Sequence, residues 1–197
     1  MLVATHGNYD GPDWQCREWK RIAGDDVFIL CPRGKARADS PSPDDTRFTY
    51  VSNAVLEREL DAALDALKAR FGDRVDTTTI VYTGFSLGAI LGVKIAARRP
   101  ELYPRLVLVE GGFEEWTAAR ARAFVAGGGK RVLFLCGQRP CQVTAQHLER
   151  ELGKLGVAVR VATSPGLGHT YGGPMTELAR AELPWLVVDD PRWTKAP

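Results

Sequence analysis

The pentapeptide GFSLG at residues 84–88 follows the β-branched run TTIVYT and leads into the apolar stretch AILGVKIAARR. A serine placed there stands on a strand-to-helix turn. Such a turn projects the hydroxyl clear of a sheet, and flanking glycines leave room where any side chain would clash. The helix beginning beside Ser86 also aims unpaired N–H groups and a positive dipole end at an oxyanion forming there, and Leu87 supplies one such N–H. A hydroxyl is a poor nucleophile until a base takes its proton, so the pattern requires a histidine.

The chain has three: His6, His147 and His169. His147 lies on an amphipathic segment of mostly charged neighbours and reads as solvated. His6 opens the pair HG just past the first apolar run and reads as a residue that shapes the adjacent loop. His169 lies in SPGLGHTYGG, where surrounding glycines free the backbone to be placed by a site. It is the predicted base. The histidines are scattered without H-x-x-x-H spacing, so the pattern calls for no metal and no other cofactor.

Positioning these residues requires a scaffold. Short runs that are apolar on both faces recur at Leu2–Ala4, Val27–Cys31, Thr78–Tyr82, Leu106–Val109, Val132–Cys136 and Val157–Val161. Strands covered on two sides have this pattern, whereas strands wet on one face alternate. Helix-length segments lie between them. In YVSNAVLERELDAALDALKARF, Leu56, Leu60, Leu64, Leu67 and Phe71 return at three- and four-residue steps. In QVTAQHLERELGKLG, Val143, Leu148, Leu152 and Leu155 are expected to face the core, with Gly156 as the stop. The alternation predicts a single α/β domain over residues 1–197: an open, mostly parallel sheet of about six strands with helices on both faces. Ligands of such sheets bind outside the carboxyl ends of the strands, so the Pro-, Asp- and Arg-dense stretch PRGKARADSPSPDDTR is expected to border the site. The tail VVDDPRWTKAP is read as an extension.

With the elbow, the HG turn and the late histidine in this order, the chain resembles the α/β-hydrolase superfamily from about Leu2 to about Trp185. The resemblance implies a nucleophile–acid–histidine order along the chain, with Ser86 first and His169 last, and a second oxyanion donor from the backbone near Asn8. It also implies an acid after the strand VLFLC, but the turn there reads GQRPC, and no carboxylate occurs between Cys136 and Gln146. Some members carry the acid one strand earlier, which points to Glu110 in LVLVEGG, with Glu114 and Glu115 as reserves. The helix expected at EEWTAARARAFV favours acidic residues at its start for structural reasons. The segment between these two strands has room for one helix and none for a lid. By resemblance the chain is then similar to small, lidless esterases and acyl thioesterases. Tyr9, Trp14, Phe85 and Tyr171 are candidates to line an acyl or aromatic pocket.

Composition narrows the classes further. At 197 residues with 45% hydrophobic and 25% charged residues, the chain reads as an ordinary globular protein, and a net charge of +2 does not suggest a nucleic-acid partner. The small net charge points to an uncharged substrate, and the resemblance implies that it is a small acyl ester. No apolar run approaches a membrane span, and MLVATHGNYDG lacks the regions of a signal peptide. Cys16, Cys31, Cys136 and Cys141 allow three full pairings. The close pair in CGQRPC reads either as a small loop-closing disulfide or, with the others, as free thiols of a cytosolic protein. The cysteines tilt the expected location towards a secreted or periplasmic one. Oligomeric state is not legible. The same triad could serve a peptidase or acyltransferase, and the empty place after VLFLC leaves room for a hydrolase-like domain that binds without turnover.

Overall fold

The computed structural model describes residues 1–193. In chain order the elements are β1 (Leu2–Thr5), α1 (Pro12–Ala23), β2 (Ile29–Leu30), β3 (Lys35–Ala36), β4 (Phe48–Thr49), α2 (Asn53–Phe71), β5 (Val81–Phe85), α3 (Leu87–Ala96), β6 (Arg105–Val109), α4 (Ala118–Ala126), β7 (Arg131–Cys136), α5 (Arg139–Lys154), β8 (Ala158–Thr163) and α6 (Pro174–Val187). Six strands form one parallel sheet in the order β2-β1-β5-β6-β7-β8, and β3 pairs with β4 in a separate antiparallel hairpin.

Strand side chains alternate between two apolar layers. Val3, Leu106, Leu108, Val132 and Phe134 face a core built with Leu56, Leu60 and Leu64 of α2, Val93 of α3, Phe124 of α4 and Leu148 of α5. Leu2, Ala4, Val107, Val109, Leu133 and Leu135 face the other way, against Trp19 and Ile22 of α1 and Met175, Leu183 and Leu186 of α6. Helices therefore cover both faces, which is why the strands read as continuous apolar runs. At the β8 edge, Arg160 donates to Glu182 at 2.7 Å and lies 4.5 Å over the Trp185 ring. Among the described residues no helix is long and apolar enough to cross a membrane.

Several boundaries differ from the sequence expectation for local reasons. The run at Val27–Cys31 contributes only two paired residues, as the edge strand β2. The run at Thr78–Tyr82 starts three residues early, because Asp76 accepts from both the amide and the hydroxyl of Thr78 and turns the chain there. Val143 and Leu155, expected in the core, are 58% and 39% exposed. The helix α4 begins at Ala118 behind the Thr117 cap, which leaves Glu114 and Glu115 in the preceding turn. The helix α6 carries Pro184 inside it and extends through the start of the segment read as a tail. Asp190 in that tail is buried, and its pairing with Arg105 and Arg192 closes the lower end of the sheet. Thr194, Lys195, Ala196 and Pro197 lie outside the described residues.

Candidate active site

Ser86 occupies the single residue between β5 and α3, with φ 50° and ψ −114°. A branched path this tight is possible because its glycine neighbours lack Cβ atoms. A Cβ on Gly84 would stand 2.5 Å from the Ala89 nitrogen, and one on Gly88 would stand 2.6 Å from the Thr5 carbonyl oxygen. The Ser86 amide donates to the Val109 carbonyl at 2.9 Å, which ties the turn to the end of β6. Left-handed backbone costs a non-glycine residue on the order of 1–3 kcal/mol. Among the described residues only Tyr9, Ser86 and Glu110 adopt it without being glycine. All three come from the candidate residues chosen on sequence, and all follow the carboxyl ends of sheet strands.

Glu110 is buried at the end of β6. Its Oε1 accepts from the Gly137 amide and, at 2.9 Å, from the Gln138 amide, both at the entry to α5. These convergent N–H groups at a helix N-terminus hold the carboxylate in one orientation. Its Oε2 lies 3.6 Å from His169 Nδ1, an ion-pair separation longer than a hydrogen bond. Glu110 follows the last residue of β6, and its carboxylate is held at the turn after β7, where the sequence has no acidic residue. The side chain of His169 is 45% exposed, and its ring lies 4.9 Å from that of Phe85, the residue before Ser86. Glu114 and Glu115 lie in the turn before α4, and burial raises the Glu115 carboxyl above its usual range, opposed by Lys94.

The turn after β1 approaches the same place, since a Cβ on Gly7 would come within 3.4 Å of Ser86 Cβ. Its amides are not equivalent. Gly7 N–H donates to Asp10 Oδ2 at 3.2 Å, and Gly88 N–H donates to the His6 carbonyl at 3.1 Å. Leu87 heads α3, so its N–H has no intrahelical acceptor. The Asn8 amide has no acceptor among the described residues, while its side chain accepts from Arg37 Nη1 at 3.0 Å. His6 is buried, stacked 4.3 Å from Tyr50, with its ring nitrogens 2.7 Å and 3.0 Å from the carbonyl oxygens of Gly7 and Arg33. It shapes the loop, as expected from its place. His147 is exposed on α5.

The four aromatic candidates divide. Phe85 and Tyr171 pack against each other with ring centroids 4.7 Å apart. Tyr9 is 37% exposed, donates to the Asp39 carbonyl at 2.8 Å and lies beneath Arg37 and Arg47. Trp14 is covered by the Arg47 guanidinium at 4.5 Å, which places it under the arginine-rich loop. That loop, residues 32–47, does border the Asn8 turn, and it contains half of the β3–β4 hairpin.

Asp10 was not among the residues singled out by sequence. It is buried, and Oδ1 accepts from Gly11 N at 2.8 Å and from the Tyr171 hydroxyl at 3.0 Å. Burial first, and the Asp10 charge second, push the Tyr171 phenol well above its usual range, so it remains a donor. The Asp-Gly-Pro at the head of α1 was the available signal. Cys136 and Cys141 are joined, as are Cys16 and Cys31, and no free cysteine remains. Glu110, Cys136 and Cys141 cluster closely enough for a metal, but their sulfurs are in a disulfide and offer no thiolate.

No protein-family model matches the chain, and no curated protein matches its sequence significantly. Solved structures do match. The crystal structure of esterase PE8 superposes with a TM-score of 0.66 at 20% identity, covering 94% of this chain and 91% of that one. SOBER1 of Arabidopsis thaliana gives 0.57 at 12% identity over 92% and 98% of the two chains. A phospholipase/carboxylesterase from Dyadobacter fermentans gives 0.53 at 17% identity over 91% and 87%. At these identities the likeness is one of fold: the chain has a minimal α/β-hydrolase fold, with the single helix α4 between β6 and β7.

Proposed function

We propose that this chain is a serine hydrolase that cleaves a small carboxylic ester or thioester through an acyl-enzyme on Ser86. The observation that carries the reading is the left-handed Ser86 at the head of α3, beside strand ends where Glu110 and His169 meet. In this reading His169 Nε2 takes the hydroxyl proton as Ser86 Oγ bonds to the acyl carbon. The carbonyl electrons move to oxygen, where the Leu87 and Asn8 amides donate to the oxyanion. Its collapse expels the alcohol or thiol, which leaves with the proton from His169. Water, deprotonated by the same imidazole, then attacks the acyl carbon; the acyl–Oγ bond breaks, the acid is released and His169 returns the proton to Ser86 Oγ. Glu110 keeps the proton on Nδ1 and offsets the imidazolium charge.

An exposed histidine and a single helix between β6 and β7 support an open site that takes dissolved esters without interfacial opening. The names of two similar structures, an esterase and a phospholipase/carboxylesterase, favour ester over amide. Two disulfides fit a secreted or periplasmic setting.

The test is a fluorophosphonate, which modifies only a serine made nucleophilic, followed by peptide mapping. Label confined to Ser86 and lost in His169→Ala is expected. A folded protein that takes no label sinks the proposal. Turnover of an ester, a thioester and an amide of one short acid then ranks the leaving groups, and faster amide cleavage overturns the substrate class.

A further inference from the structure

We infer that the Cys136–Cys141 disulfide is a positioning device for the acid–base pair, setting the separation of Glu110 from His169; this rests on the hydrolase reading for its catalytic consequence and on geometry for the rest. The bond joins the last residue of β7 to the first turn of α5. The ring it closes contains Gly137 and Gln138, the two residues whose amides hold Glu110 Oε1. The same ring touches the other partner. Ser164 N–H donates to the Cys136 carbonyl at 2.9 Å and Gly166 N–H to the Gly137 carbonyl at 3.2 Å, so the loop carrying His169 hangs from it. A Cβ on Gly137 would stand 2.6 Å from the Gly168 carbonyl oxygen, next to His169. One small covalent ring therefore grips the carboxylate through its amides and the histidine loop through its carbonyls.

Stability alone explains this bond poorly. Cys136–Cys141 spans 5 residues against 15 for Cys16–Cys31, and in the chain-entropy account the shorter loop restrains the unfolded chain less. Its two sulfurs are nearly inaccessible and lie beside the Glu110 carboxylate. Glu110 is further fixed by its own left-handed backbone and by its amide, which donates to Leu135 at 3.1 Å. With Glu110 anchored to β6, freedom in residues 137–138 becomes freedom in the distance to His169.

The test pairs Cys136→Ala/Cys141→Ala with Cys16→Ala/Cys31→Ala, a control at the opposite edge of the sheet, and adds Gly137→Ala, which keeps the disulfide and displaces Gly168. Circular dichroism checks the fold. Two readouts are taken: kcat and KM on the best ester, and the ring 15N shifts of His169, which report its tautomer and its Nδ1–H bond. Opening the 136–141 ring is expected to lower kcat by about tenfold to a hundredfold with little change in KM, since misplacement of a catalytic group by about 1 Å costs that much. The His169 shifts move towards a mixed tautomer, and Gly137→Ala follows the same direction. The 16–31 variant loses stability and leaves both readouts unchanged. Unchanged kcat and unchanged His169 shifts in the opened ring overturn the inference. If the wild type proves inert, shifts that move on ring opening still support the positioning role while the hydrolase reading fails.

Discussion

Asp10 and Tyr171, from opposite ends of the chain, meet at 3.0 Å and join the turn after β1 to the loop after β8. The first turn carries Gly7 and Asn8; the second carries His169 two residues before the tyrosine. Tyr171→Phe removes the donor and keeps the ring that packs on Phe85. A hydrogen bond to a charged acceptor contributes about 1.5–3 kcal/mol, and partial exposure of Tyr171 places this one at the lower end. The expected result is a lower urea midpoint with an unchanged m-value, and an ester turnover reduced several-fold. A midpoint equal to wild type would show that the two loops are held by other contacts.

Glu110 is the carboxylate that faces His169, whereas Glu114 and Glu115 lie in the turn before α4. Glu110→Gln should lower kcat by roughly a hundredfold to ten-thousandfold with the fold intact, because the amide favours the wrong tautomer of the imidazole. Glu114→Gln and Glu115→Gln should leave it within about twofold. A loss below about tenfold in the Glu110 variant moves the role elsewhere.

The left-handed backbone of Ser86 gives an opposite-signed expectation for stability. Ser86→Gly should remove all fluorophosphonate labelling and at the same time raise the unfolding free energy by about 1 kcal/mol, through relief of strain. Ser86→Ala keeps the strain and should lose the label without that gain. Equal midpoints for the two variants would mean that the turn is relaxed.

Acid stability should centre on the lower end of the sheet. Hydrogen bonds from the Thr78 hydroxyl and amide, then Arg192, hold the Asp76 carboxyl down at about 2, from an ordinary 3.8. Asp190 is lowered chiefly by its bond to Arg192. A depressed carboxylate stabilises the fold above its unfolded value and loses that contribution as pH falls through the folded one. Urea midpoints should therefore decline from about pH 4 towards pH 2. Asp76→Asn should flatten that decline and lower the midpoint at neutral pH. A decline as steep as wild type in the variant would assign the acid sensitivity to other groups.

Much of this arrangement is legible in sequence because it rests on local pattern. The runs around Leu106–Val109 and Val132–Cys136 are apolar at every position, and the sheet buries both their faces. Glu110 stands out as an acid between such a strand and two glycines. What holds it does not stand out, because the Gly137 and Gln138 amides reach it only once β6 and β7 are neighbours. Asp10 has the same difficulty: its partner Tyr171 arrives from the far end of the chain. Helix faces are less legible than strands. Val143 falls off the stripe that buries Cys141, Ala145, Leu148 and Leu152, and Leu155 follows the last residue of α5, so water reaches both. The helix α6 continues through its interior Pro184 as far as Val187, the first residue of the segment read as a tail.

The sheet ends at β8, and no described strand pairs with its outer edge. An open row of backbone donors and acceptors is a template for a neighbouring molecule. Arg160 sits mid-strand there, its guanidinium fixed by Glu182 and Trp185. A second molecule extending the sheet along β8 would have to bring its own strand against that charge and strip its water. Charged side chains on edge strands oppose edge-to-edge pairing, and Arg160 stands where such a charge would act.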